Sequence, residues 1–249
     1  FNTVKGDQYS RLYSENMISL MEKLRLPRYG LNEYINDQKT TDATPYERHI
    51  IENLSRAGLR MMGFCKSTFF KRIDSSGFSF LLTLYRHILR NCVFIYALDN
   101  DLQLPIADEN QLPDDYSEDA DTNTGLLSDD MGIGAAVDAT LSVPTDINIY
   151  MGKASEYYNT ISQRHNVEWL PSTYFKRTLK QQLKKDCETL IQMINLCGVW
   201  RQETDEKLNM LQDLLNGEHK DDKVVVFTQY SDTALYVYNQ LKKRGINAI

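Results

Sequence analysis

Two short stretches of this chain place cations or polar side chains where a phosphate could sit. In the first, Lys71-Arg72 stand three residues ahead of Ser75-Ser76 in the run FFKRIDSS. Either serine can cap the helix that the apolar run after Gly77 requires, which sets two cations beside free backbone N–H groups at a helix mouth. That combination suits a phosphate of a nucleic-acid backbone or of a nucleotide. The competing use is an intramolecular pairing with Asp74 and neighbouring acids that joins two helices. The second stretch is Thr228-Gln229, directly after the apolar, β-branched run at 223–227. Such a run suits a strand buried on both faces of a parallel sheet, and α/β sheets bind ligands at the C-terminal ends of their strands. A polar turn serving only its own backbone is the alternative. The nucleic-acid-contacting candidates are therefore Lys71, Arg72, Ser75, Ser76, Thr228 and Gln229.

The elements that must position these residues are mostly helical. Residues 8–26 carry Leu12, Met17, Ile18, Leu20, Met21 and Leu24 at near-helical spacing, and Pro27 stops the helix. Thr44-Pro45-Tyr46-Glu47 is a strong helix start, with Thr as N-cap, Pro at the first helical position and Glu completing a capping box. That helix is expected past Met61-Met62, with Gly63 as a bend or close-packing point. Residues 77–98 are apolar enough for a mostly buried helix. Helices are also expected over 149–164, 174–197 and 205–215, with a turn at Trp169-Leu170-Pro171-Ser172. After the strand at 223–227, Ser231 or Asp232 caps a last helix, with apolar Leu235, Val237, Tyr238 and Leu241. It ends in Lys242-Lys243-Arg244 and a C′ glycine, Gly245. The expected class is mainly α: a helical bundle with a short α/β element, one strand plus one helix, at the C-terminus.

Charge divides the chain unevenly. Thirteen of its 34 acidic residues, and none of its 28 Lys and Arg, lie between Asn91 and Gly152. The rest is basic on balance, so a net charge of −6 does not exclude a nucleic-acid partner. The expected organisation is a helical region over 1–98, an acidic and partly disordered insertion over 99–148, more helices over 149–217, and an α/β beginning over 218–249. The basic run Lys176, Arg177, Lys180, Lys184 and Lys185 reads first as a solvated helix face. Four cysteines without C-x-x-C spacing read as buried thiols of a cytoplasmic protein, and the four histidines show no metal spacing. No window approaches a membrane span or a signal peptide. Gly132-Ile133-Gly134 lies in the acidic insertion with no strand before it, which argues against a nucleotide loop there.

Two blocks resemble bacterial Swi/Snf-type, superfamily-two helicases and translocases. The tail VVVFTQYSDTA is similar to the first strand and helix of the second RecA-like lobe in that family. FFKRIDSSGFSFLLTLYRHILRN, with Leu104-Pro105-Ile106-Ala107 later, is similar to a helical region lying between the two lobes. The family has Leu-Glu where this chain has Ile73-Asp74, and commonly Gly where it has Ala107. Asp205-x-Lys207-Leu208 also matches the D-x-K-L that commonly precedes the second lobe. The resemblance implies an internal piece of an ATP-driven motor that acts on nucleic acid, expected to be duplex DNA, with ATP and magnesium bound elsewhere in the parent. The chain itself has no G-x-x-x-x-G-K-[ST] loop and no D-E-x-H or D-E-x-D box. Those groups supply the electrostatics of phosphoryl transfer, so no cofactor and no ATP hydrolysis are expected of this chain alone. The rival reading is a stand-alone helical protein–protein interaction module.

Overall fold

The structure is a computed structural model that describes residues 7–106, 141–163 and 167–247, with the backbone alone for 55–64. In chain order the elements are α1 (Gln8–Leu12), α2 (Glu15–Lys23), α3 (Pro45–Ser75), α4 (Gly77–Asp99), β1 (Gln103–Ile106), α5 (Ile147–Ser162), β2 (Glu168–Pro171), α6 (Arg177–Cys197), α7 (Glu206–Asn216) and α8 (Ser231–Lys243). The class is mainly α, as its sequence pattern implies.

Helix α4 is the axis. Its residues are apolar around nearly the whole circumference, so it buries every face, and α3, α5 and α6 pack around it. Helix α3 begins on a complete capping box: the Thr44 N–H donates to Glu47 Oε2 (2.7 Å) and the Glu47 N–H to Thr44 Oγ1 (3.2 Å). Such a cap contributes about 1 kcal/mol. The helix then runs 31 residues without ending at Gly63. Its end and the start of α4 are separated by Ser76 alone, whose backbone is extended (φ −162°, ψ 136°).

Several expectations need correction. The single helix over 8–26 is two, because Ser14 turns extended and its hydroxyl accepts the Met17 N–H to cap a new helix. Trp169 and Leu170 lie in β2, which pairs antiparallel with β1 (Leu104 opposite Leu170, Ile106 opposite Glu168), and no turn forms until Ser172. The ends of the acidic stretch belong to the core. Leu104, Ile106, Leu141 and Val143 are buried, and Leu141 exchanges both backbone hydrogen bonds with Trp200. Apolar side chains scattered among acids still fold inward when a neighbouring strand offers pairing. The remainder of that stretch, including Gly132 and Gly134, lies outside the described residues.

The strand expected at 223–227 is not formed. The segment is unpaired among the described residues, and Val224, Val225, Val226 and Phe227 are 44, 73, 49 and 91% exposed. A strand exists only by exchanging backbone hydrogen bonds with a neighbour, and the two-stranded sheet lies elsewhere, at β1–β2. The helix expected after it, α8, is in place. It ends in a Schellman turn, with the Ile246 N–H on the Leu241 carbonyl (3.0 Å), the Gly245 N–H on that of Lys242 (3.1 Å), and Gly245 at φ +79°. Its Tyr236 and Leu241 join the same buried core as α4 and α6.

Candidate functional site at the α3–α4 elbow

The three motif segments, although up to 160 residues apart in the chain, meet at the one-residue elbow between α3 and α4. Asp232, in the first turn of α8, receives Arg86 of α4 through two hydrogen bonds (2.5 and 2.9 Å) and Arg72 of α3 through a third (3.1 Å). The Arg72 guanidinium carbon also lies 3.8 Å from the centroid of the Tyr230 ring, a cation–π contact shielded from solvent. Next to it, Thr233 Oγ1 lies 2.7 Å from both Ser75 Oγ and Ser79 Oγ, and Ser75 Oγ is 3.3 Å from Thr228 Oγ1. A chain of four hydroxyls thus runs from buried Ser79 to exposed Thr228.

The D-x-K-L segment closes the other side of the elbow. Asp205 caps α7 by accepting the Leu208 N–H (3.2 Å), and accepts the Tyr9 hydroxyl (3.2 Å) and the Tyr236 hydroxyl (2.8 Å). Each tyrosine is itself an acceptor, from the Gly77 N–H (3.5 Å) and the Trp200 indole N–H (3.4 Å) respectively. Two donor chains therefore converge on one buried carboxylate. Burial pushes the Asp205 carboxyl above its ordinary value, and the Tyr236, Leu208 and Tyr9 donors pull against that rise. The phenols of Tyr9 and Tyr236 are raised by burial first, then by the Asp205 charge. Lys207 Nζ donates to the terminal carbonyls of α3, Ile73 (3.2 Å) and Asp74 (2.5 Å). Burial lowers its pKa, and Asp74 and Asp205 oppose that shift. Phe78 stacks on Tyr236 with centroids 4.5 Å apart, which locks the first turn of α4 to the middle of α8.

Of the six candidates, Lys71, Thr228 and Gln229 are exposed and Ser75 is half-buried, on the open side of this junction. Arg72 and Ser76 lie on its buried side. Arg72 is 0% exposed and holds Asp232, the intramolecular use of the Lys-Arg pair, although its partner is not Asp74. Ser76 is the N-cap residue of α4, yet its buried hydroxyl makes no cap bond. Asp232 was legible only as a capping candidate for α8, whereas Tyr230 is the N-cap residue and caps through no side chain. One sequence signal points to the clasp: Arg86 sits in a mostly apolar helix, and a buried arginine requires a carboxylate partner.

The basic run on α6 is spent in part within the molecule. Lys180 pairs with Asp99, and Lys176 donates to the Glu33 carbonyl at 3.1 Å. Among the described residues no cluster of three or more His, Cys, Asp or Glu could hold a metal ion, and no helix is long and apolar enough to cross a membrane. The elbow does not fit a nucleoside triphosphate with magnesium, because its two arginines already hold Asp232. No family model, no curated protein and no solved structure matches this chain.

Proposed function

We propose that this chain is the helical coupling region of an ATP-driven, Swi/Snf-type translocase acting on nucleic acid, and that duplex DNA is the substrate. In this reading the elbow seats the opening helix of the second motor lobe, and Lys71, Ser75, Thr228 and Gln229 form a polar edge toward the phosphate backbone. One observation supports it most: the Arg72–Asp232 pair joins the K-R of the FFKRIDSS block to the S-D of the QYSDTA block (3.1 Å). Segments that resemble successive parts of one motor are parts of one joint here, and Lys207 of the D-x-K-L segment closes the same joint.

Fluorescence anisotropy of a labelled DNA duplex titrated with the purified chain tests this. Binding is expected to weaken steeply with salt, as counterion release requires, and to weaken further in Lys71→Glu. Affinity that ignores both salt and Lys71→Glu would remove the nucleic-acid edge. A stand-alone interaction module is the second reading, favoured by the exposure of Val224 to Phe227. It predicts no duplex binding, with Val225→Lys abolishing capture of a protein partner.

A further inference from the structure

The two arms of the elbow are tied through a residue that belongs to neither. Arg72 lies in the last turn of α3 and Arg86 lies ten residues into α4; both guanidiniums close on the Asp232 carboxylate of α8, at 3.1 Å and at 2.5 and 2.9 Å. Thr233 repeats the pattern one residue later, with Ser75 of α3 and Ser79 of α4 each 2.7 Å from its hydroxyl. Between the arms the backbone offers only Ser76 as a pivot; its N–H donates to the Arg72 carbonyl (2.9 Å) and its carbonyl accepts the Phe80 N–H (3.0 Å). One extended residue between two long helices does not by itself set their angle.

We propose that Asp232 is a transmission pin, so that the position of α8 and the angle between α3 and α4 form a single coupled motion. The physical requirement is a shared partner. With both guanidiniums buried, α8 cannot leave without stripping both arginines of their common carboxylate, and the arms cannot splay without breaking one side of it. The Phe78–Tyr236 stack and the bonds from Arg244 to Asn209 (2.8 Å), Gln212 (2.6 Å) and the Gln202 carbonyl (2.8 Å) keep the rest of α8 seated, so displacement is expressed at the pin. This coupling stands on the geometry of the chain alone and does not depend on the motor reading.

The test measures the elbow and the helix together. Spin labels at Glu52→Cys in α3 and Asn100→Cys after α4, both exposed, report the arm separation in a Cys65→Ala background whose other thiols are buried. Electron–electron resonance distances are compared for the parent, Asp232→Asn, Arg86→Met and the double variant, with hydrogen exchange followed in α6 and α8. Each single change is expected to broaden and shift the distance and to lower α8 amide protection by roughly tenfold or more, while α6 stays protected. The double variant is expected to go no further than the larger single one. Loss of α8 protection at an unchanged arm distance would overturn the proposal, as would additive distance shifts. Should Asp232→Asn fail to fold, Arg86→Met decides: it releases α4 from the shared carboxylate and leaves the Arg72–Asp232 pair, and an unchanged arm distance in it would count against coupling.

Discussion

Trp200 packs directly against Gly77: a Cβ at position 77 would stand 2.3 Å from two atoms of the indole ring, and 2.9 Å from Leu12 Cδ1. Both neighbours are almost wholly buried and cannot withdraw. Gly77 opens α4 directly after the elbow, so this close approach sets how deeply the elbow sinks into the core. Gly77→Ala ordinarily gains about 1 kcal/mol in a helix, yet here overpacking is expected to cost about 1–3 kcal/mol. The midpoint of urea unfolding should fall at an unchanged m-value; a rise would show that the indole moves aside.

Asp205 should behave as the hub of its network. Asp205→Ala removes the α7 cap and strands two buried phenols, for a loss of about 3 kcal/mol. Tyr9→Phe and Tyr236→Phe should each cost about 1 kcal/mol. In the Asp205→Ala background the phenylalanine changes should cost less than in the parent, because their shared acceptor is already gone and only the Gly77 and Trp200 donors are left to lose theirs. Full additivity in denaturation cycles would deny the hub.

Lys207→Met keeps the aliphatic stem and removes the ammonium that closes α3. A loss of about 1–2 kcal/mol is expected, with faster amide exchange confined to the last turn of α3 and the elbow. Uniform exchange changes across α4 and α6 would argue that the lysine acts through general packing instead.

His87 links the core to pH. It is buried against Phe69 and Tyr29, with Arg28 Nη2 3.3 Å from its Nδ1. Burial first, then Arg28, Arg90 and Arg72, hold its pKa well below 6.5, opposed by Asp186. The folded histidine thus stays neutral where the unfolded one takes a proton. Its contribution to stability is intact above pH 6.5 and falls as pH drops below it, by about 1.4 kcal/mol per unit until the folded pKa is reached. Asp186 and Asp205, raised chiefly by burial, act in the opposite direction nearer pH 4, because the folded state holds their protons more tightly. His87→Gln should flatten the decline of stability just below pH 6.5. An unchanged slope would assign the acid sensitivity to other groups.

Local signals were legible where the physics is local. The Thr44–Glu47 capping box needs only four successive residues, and the Gly245 cap needs only a glycine where the backbone turns left-handed, so both could be read directly. The apolar circumference of α4 likewise announced its burial. The strand at Trp169 was not legible, because its four-residue pairing with β1 depends on a segment distant in the chain; the break at Ser14 is local, but one polar cap does not interrupt the apolar spacing around it.

By its sequence alone this protein is mainly α, with three motif segments in order and cations at a helix mouth, because capping, periodicity and turn chemistry are short-range. Only tertiary structure decided what those cations do. Arg72 faces inward because Arg86, buried on an apolar helix, draws Asp232 across the elbow, and two guanidiniums can share one carboxylate once water is excluded. The run at 223–227 shows the converse. Its composition is that of a strand, but a strand is a relation between two segments, and among the described residues the second is not there.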